Sequence, residues 1–112
     1  MIINKTKKNI ISKQERICTT PLSQMIGLMF KKKQNIIMVL KQEKKIALHN
    51  LFVFYSHDLL ILNKEQKIIE IKQQFKPFTL WRSATKGKYL LELPVPLTKT
   101  YELGDQLAFS HT

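Results

Sequence analysis

The chain lacks any long apolar run. The longest, Leu51 to Tyr55, falls far short of the roughly 20 residues a spanning helix needs, so no transmembrane segment is expected. The N-terminal stretch MIINKTKKNIISKQER has lysines but neither the apolar segment nor the small-residue cleavage site of a secretory signal. Cysteine is nearly absent. Cys18 alone can close no internal disulfide and has no second thiol for a metal clip, which points to a reducing, cytoplasmic setting and to a small buried hydrophobe at that position. With three glycines and four prolines, composition gives no case for disorder, and 112 residues bound the chain to a single domain with one modest core. No GxSxG, P-loop or HExxH pattern occurs, so the sequence shows no nucleophile, no metal set and no cofactor signature, and an enzyme is the least favoured class.

Lysine is what the chain has in excess. The formal net charge is +11, and residues 1–45 hold +9 of it, with eleven Lys or Arg against Glu15 and Glu43. This asymmetry fits an anionic partner, nucleic acid or a charged surface, and it equally fits a general Lys and Ile bias. Seventeen of the nineteen cations are lysine, so any nucleic-acid binding is expected to be non-specific, because base-edge readout favours the arginine fork. The candidate contacts are Lys31, Lys32 and Lys33 beside Phe30, and Arg82 within FKPFTLWRS, where aromatics interleave with cations. The competing reading is that Phe75, Phe78 and Trp81 fill the core.

Residues 1–9 read as a basic lead-in that frays, followed by a single domain over residues 10–112. A first strand is expected from Ile10 to Thr19. Thr20-Pro21 opens a short helix, because Thr caps and Pro is tolerated at the first helical position; Leu22, Met25, Ile26 and Met29 form its apolar stripe. The remainder reads as strands. Asn35 to Lys41 is followed by a turn at Gln42 to Lys45 and a second strand from Ile46 to Tyr55. Asp58 to Asn63 and Lys67 to Lys72 form a hairpin around Lys64-Glu65-Gln66. Lys86-Gly87 reads as a turn before Lys88 to Leu93, which Pro94 and Pro96 stop; Gly104-Asp105 turns into a last strand, Gln106 to Ser110. Six or seven short strands and one short N-terminal helix predict a mainly β fold, a small barrel or sandwich.

Several short motifs fall in a consistent order: Gly27-Leu28-Met29 after the helix, His49-Asn50, Asp58 at the head of LLILNKEQKIIEI before the hairpin, Leu-Glu at Glu92, and Gly104-Asp105. In this order and spacing the chain resembles the DUF192 (UPF0127) family over about residues 10 to 110. The resemblance implies a compact, mainly β fold with one short helix and no established activity. It carries over Gly27, Leu28, Met29, Asn50, Asp58, Glu92, Gly104 and Asp105. The chain departs from the family pattern at Ala47-Leu48-His49, where Trp-Met-Lys is usual, and after Glu92, where a glycine is missing.

The run LHNLFVFYSHDLLIL, Leu48 to Leu62, poses the site question. In one straight strand His49 and His57 lie roughly 26 Å apart, too far to share a metal. If the chain doubles back near Phe54 to Ser56, as the family pattern suggests, Asn50 and Asp58 reach one end together. They then either tie backbone N–H groups at a turn or form part of a polar cluster. Glu92 on its strand faces with Leu90, opposite Tyr89, Leu91 and Leu93. The ligand-binding candidates are therefore Asn50, His57, Asp58, Glu92 and Asp105, with Gly27, Leu28, Met29 and Gly104 as structural motif residues. The favoured function is a small cytoplasmic module that binds a ligand or a protein partner; the alternative is a non-specific nucleic-acid or anionic-surface binder.

Overall fold

The computed structural model describes residues 1–19, 34–49, 56–76, 79–94 and 100–110. Among these residues there are strands and turns and no helix; the expected helix after Pro21 lies outside them. Two open sheets form. In the smaller, Ile2–Asn4 (β1) lies between Asn9–Ser12 (β2) and Leu107–Ala108 (β8), with both pairings antiparallel. The larger takes the order Glu15–Cys18 (β3), Asn35–His49 (β4), Leu80–Pro94 (β7), His57–Leu62 (β5) and Ile68–Phe75 (β6). β3 runs parallel to β4 and every other pairing is antiparallel.

The lead-in contributes a strand to the small sheet. Ile2 and Asn4 are fully buried, so β1 forms the middle of the small sheet. There is not one strand from Ile10 to Thr19. The chain breaks at Lys13-Gln14, where the Ser12 hydroxyl donates to Glu15 Oε2 (2.5 Å) and lies 3.1 Å from the Gln14 carbonyl, and its halves enter different sheets.

β5 is buried at every position, and its run HDLLIL follows from its place between β7 and β6. A strand covered on both faces reads as continuous apolar sequence, yet its side chains still alternate. Leu59 and Ile61 join Cys18, Ile36, Met38, Leu40, Ile46, Phe75 and Leu90 on one face. Leu60 and Leu62 join Ile37, Tyr89, Leu91 and Leu93 on the other, where Ile2, Leu107 and Tyr101 close over them. Each fully buried Leu or Ile contributes about 1.5–3 kcal/mol through loss of apolar surface to water. The expected hairpin is present: the Asn63 side chain accepts from Glu65 N–H and Lys67 N–H, and Gln66, at φ 64°, donates its N–H to the Asn63 carbonyl.

The expected turns at Gln42 to Lys45 and Lys86-Gly87 are instead interruptions inside two 15-residue strands. Val39 pairs with Tyr89, but the next partners are Lys44 and Gly87, so β4 carries the surplus residues as a bulge. The Lys88 ammonium caps that bulge by donating to the Leu40 and Lys41 carbonyls. Further along the surplus passes to β7, and the Ser83 hydroxyl accepts the Ile46 N–H (2.8 Å) while donating to the Thr85 carbonyl. Bulges bend and twist a strand pair, and the β4–β7 pair carries two such register shifts. Gly87 sits against Ile61, with no room for a Cβ. Glu70 of β6 reaches β7, two places away in strand order, and accepts from the N–H groups of Ala84 and Thr85 and from the Thr85 hydroxyl. Burial works to raise the Glu70 pKa, but those donors outweigh it and hold the carboxyl below its usual range. Trp81 and Ile69 pack, partly buried, against the cluster that holds Leu59, Ile61 and Phe75.

Candidate functional site

Adjacent residues of β5 open onto opposite sides of the large sheet, and each side has its own polar group. His57 shares a face with Leu59 and Ile61; Asp58 shares one with Leu60 and Leu62. On β7 the alternation follows expectation, with Leu90 and Glu92 on the first face and Tyr89, Leu91 and Leu93 on the second. The register sets Leu59 opposite Glu92 and His57 opposite Pro94. His57 and Glu92 are thus diagonal neighbours, with Nε2 3.9 Å from Oε1. The imidazole also meets Phe75 edge-on, at a centroid distance of 5.5 Å and an interplanar angle of 86°.

Glu92 is the unusual group. It is 2% exposed, and among the described residues no hydrogen bond reaches either carboxyl oxygen. Burial pushes its pKa up to about 8, so near neutral pH it keeps its proton. A protonated carboxyl beside an imidazole offers an O–H donor and a carbonyl acceptor inside apolar surroundings. Such a pair can pass a proton or take a complementary polar group.

On the opposite face the acids are already occupied. Asp58 Oδ2 accepts from the Tyr101 hydroxyl (2.5 Å) and Oδ1 from the Gln74 N–H (2.9 Å). Burial first, and then the Asp58 carboxylate, push the Tyr101 hydroxyl well above its ordinary range, so it remains a donor. Asp105 Oδ2 accepts from the Asn4 amide (2.7 Å) and the Glu102 N–H (3.0 Å), with the Lys7 ammonium 3.7 Å away. Asn4 also donates to the Thr100 carbonyl and accepts from the N–H groups of Thr6 and Lys7. Gly104, at φ 92°, supplies the left-handed residue of the turn that presents Asp105. These bonds tie β1 and residues Thr100–Tyr101 to the large sheet.

The structure therefore brings His57 and Glu92 together and places Asp58 and Asp105 on the other side, in two separate sets of hydrogen bonds. Asn50 lies outside the described residues, as do Gly27, Leu28, Met29, Lys31, Lys32 and Lys33. Arg82 is exposed on β7, opposite Ala47. Phe75 is 1% exposed and Trp81 is partly buried against the same cluster, so these two aromatics of FKPFTLWRS are core. Among the described residues no three His, Cys, Asp or Glu side chains gather as a metal site. Sequence reasoning passed over Asn4, Gln74 and Tyr101. The β-branched pair Ile2-Ile3 was an available strand signal for the first, and Tyr101 stands three residues before Gly104.

The sequence matches a known family over nearly its whole length. The model of DUF192, described as an uncharacterized ACR, matches residues 2–109. The chain belongs to the DUF192 family. A UPF0127 protein of Pyrococcus horikoshii is 26% identical over 112 residues, covering 96% of each chain. A UPF0127 protein of Thermococcus sibiricus is 26% identical over 113 residues, covering 96% of this chain and 73% of its own. Two crystal structures share the DUF192 fold at 16% identity, a level that speaks for fold alone. One, a candidate transcription regulator from Sinorhizobium meliloti, has a TM-score of 0.83 and is matched over 88% of its chain and 96% of this one. The other, a protein of unknown function from Novosphingobium aromaticivorans, has a TM-score of 0.84 and is matched over 82% of its chain and 96% of this one. Glu92, Asp58, Gly104 and Asp105 all fall inside the matched span.

Proposed function

We propose that this DUF192 chain is a binding module whose ligand is a small polar molecule, or a polar group of a partner, received where β5 and β7 set His57 beside Glu92. One observation carries the reading: the Glu92 carboxyl is buried and no hydrogen bond satisfies it among the described residues. Leaving a buried polar group unmet costs about 1–3 kcal/mol, and a leucine there would remove that cost. A residue that weakens the fold in this way is explained by a group that arrives from outside and completes it. The ligand suited to the pair presents an acceptor to the Glu92 O–H and a second polar atom to the imidazole, as a carboxylate or an amide does. Asp58 and Asp105 then support the site indirectly, through the ties that hold the two sheets together.

The test is a small-molecule fragment screen by protein-observed NMR on the wild-type chain and on Glu92→Leu. Hits that shift the resonances of residues 57–59 and 90–93, and that vanish in Glu92→Leu while the variant stays folded, support the reading. A screen in which wild type and Glu92→Leu respond alike would refute it. The second reading, a non-specific nucleic-acid binder, draws support from the net charge of +11 and the exposed Arg82. It requires that affinity for a polynucleotide fall steeply with added salt, through release of counterions.

A further inference from the structure

We propose that the outward face of the three-stranded sheet is a docking surface for an anionic lipid bilayer. The inward face of that sheet is core: Ile2, Asn4, Ser12 and Leu107 are all buried. The outward face centres on Ile3, which the register sets opposite Ile10 on β2 and Ala108 on β8, so one apolar row crosses all three strands. Ile3 is 39% exposed, Ile10 47% and the preceding Met1 55%. Among the described residues five large hydrophobics are exposed, and four of them, Met1, Ile3, Ile10 and Ile17, lie in the first seventeen positions. Single exposed aliphatics are ordinary; their concentration on one short segment is not.

Cations frame the same row. Lys5 and Lys8 occupy the turn between β1 and β2, Lys13 follows β2 directly, and all three are exposed. Among the described residues no carboxylate lies within ion-pair distance of any of them. The nearby acids are engaged elsewhere: Glu15 with the Met1 amine and the Ser12 hydroxyl, Glu102 and Asp105 with Lys7. The result is an aliphatic centre inside a rim of unneutralised lysines.

Charge complementarity selects the occupant. A second copy docked two-fold on this face sets lysine against lysine. A nucleic acid satisfies the lysines, but its bases stack on aromatic or guanidinium planes, and this row presents isoleucine and alanine. An anionic bilayer meets both halves, with headgroups at the lysines and the interfacial acyl region at Ile3 and Ile10.

Vesicle flotation of the full chain tests this, using phosphatidylcholine vesicles and vesicles containing about one-third phosphatidylserine. The chain is expected to float with the anionic vesicles at low salt, to stay behind with the neutral ones, and to release in about 0.5 M NaCl. Ile3→Thr/Ile10→Thr keeps branched, outward side chains and is expected to lower partitioning at least ~10-fold, by removing apolar area from the membrane contact. Lys5→Gln/Lys8→Gln/Lys13→Gln is expected to do the same, with circular dichroism confirming that both variants remain folded. No flotation at low salt, or undiminished flotation of the isoleucine variant, overturns the proposal. So does binding of a single-stranded oligonucleotide that the lysine variant loses and the isoleucine variant keeps, or a dimer that dissolves in the isoleucine variant.

Discussion

Replacing Glu92 by glutamine should flatten the pH dependence of stability in a direction that the burial of the carboxyl dictates. The folded pKa is raised to about 8 from 4.5. Below pH 4.5 both folded and unfolded chains carry the proton, and stability is at its full value. Between pH 4.5 and 8 the unfolded chain releases the proton while the folded one retains it, so stability falls by about 1.36 kcal/mol per pH unit. The accumulated loss is roughly 3 kcal/mol at pH 7 and about 5 kcal/mol by pH 8, against a total of about 5–15 kcal/mol for a domain. Glutamine keeps the shape and does not titrate. Urea unfolding of wild type and Glu92→Gln at pH 5, 7 and 9 isolates the effect, because every other titrating group is common to both chains. The two should have similar midpoints at pH 5, and Glu92→Gln should pull ahead by several kcal/mol at pH 9. Parallel curves across that range would refute the reasoning, since they would mean that Glu92 ionises as readily in the folded chain as in water.

Four further outcomes follow from the packing. Tyr101→Phe removes the hydroxyl that Asp58 Oδ2 accepts from, and should cost about 1.5–3 kcal/mol in a urea titration near neutral pH. Gly87→Ala places a methyl group against Ile61 Cγ2, a branched side chain with no free end to swing away, with the Leu62 carbonyl 3.3 Å off; about 1–3 kcal/mol should be lost in thermal unfolding. Asn4→Ala breaks four hydrogen bonds and leaves Asp105 and the Thr100 carbonyl short of a donor, so about 3 kcal/mol should be lost by the same measurement. Glu70→Gln weakens the clasp on Ala84 and Thr85 at a partly exposed site, and backbone amides of residues 80–88 should exchange hydrogen faster while the core of β5 is unaffected.

The local grammar of the chain was legible where a decision is made within a few residues. The hairpin at Asn63 to Lys67 is closed by its own side chains. The alternation that sets Glu92 with Leu90, away from Tyr89, Leu91 and Leu93, needs no tertiary knowledge. Misreadings arose where a polar run is long-range structure. Gln42 to Lys45 has the composition of a turn, yet it stays within the strand, and Lys88, more than forty residues away in sequence, caps the Leu40 and Lys41 carbonyls that precede it. Lys86-Gly87 has turn chemistry, but the glycine is there because Ile61 leaves no room for a Cβ. The lysines of the first eight residues suggested fraying, while the burial of Ile2 and Asn4 depends on Leu107 and Asp105 at the far end of the chain.

The same limit explains why the candidate acids separate. Asp58 and Glu92 are both carboxylates on apolar strands, and nothing within their own segments distinguishes a structural role from a binding role. Alternation alone says that His57 and Asp58 face opposite ways. What each face then meets is set by β5 lying between β6 and β7. Asp58 meets Gln74 and Tyr101, sixteen and forty-three residues along the chain, and both of its oxygens gain donors. His57 meets Glu92 on β7 at a distance too long for a hydrogen bond, and among the described residues no partner satisfies Glu92. Two acids of similar local sequence thus divide into one whose oxygens are both met within the fold and one that no described residue meets, which is why the proposed binding site is placed at the second.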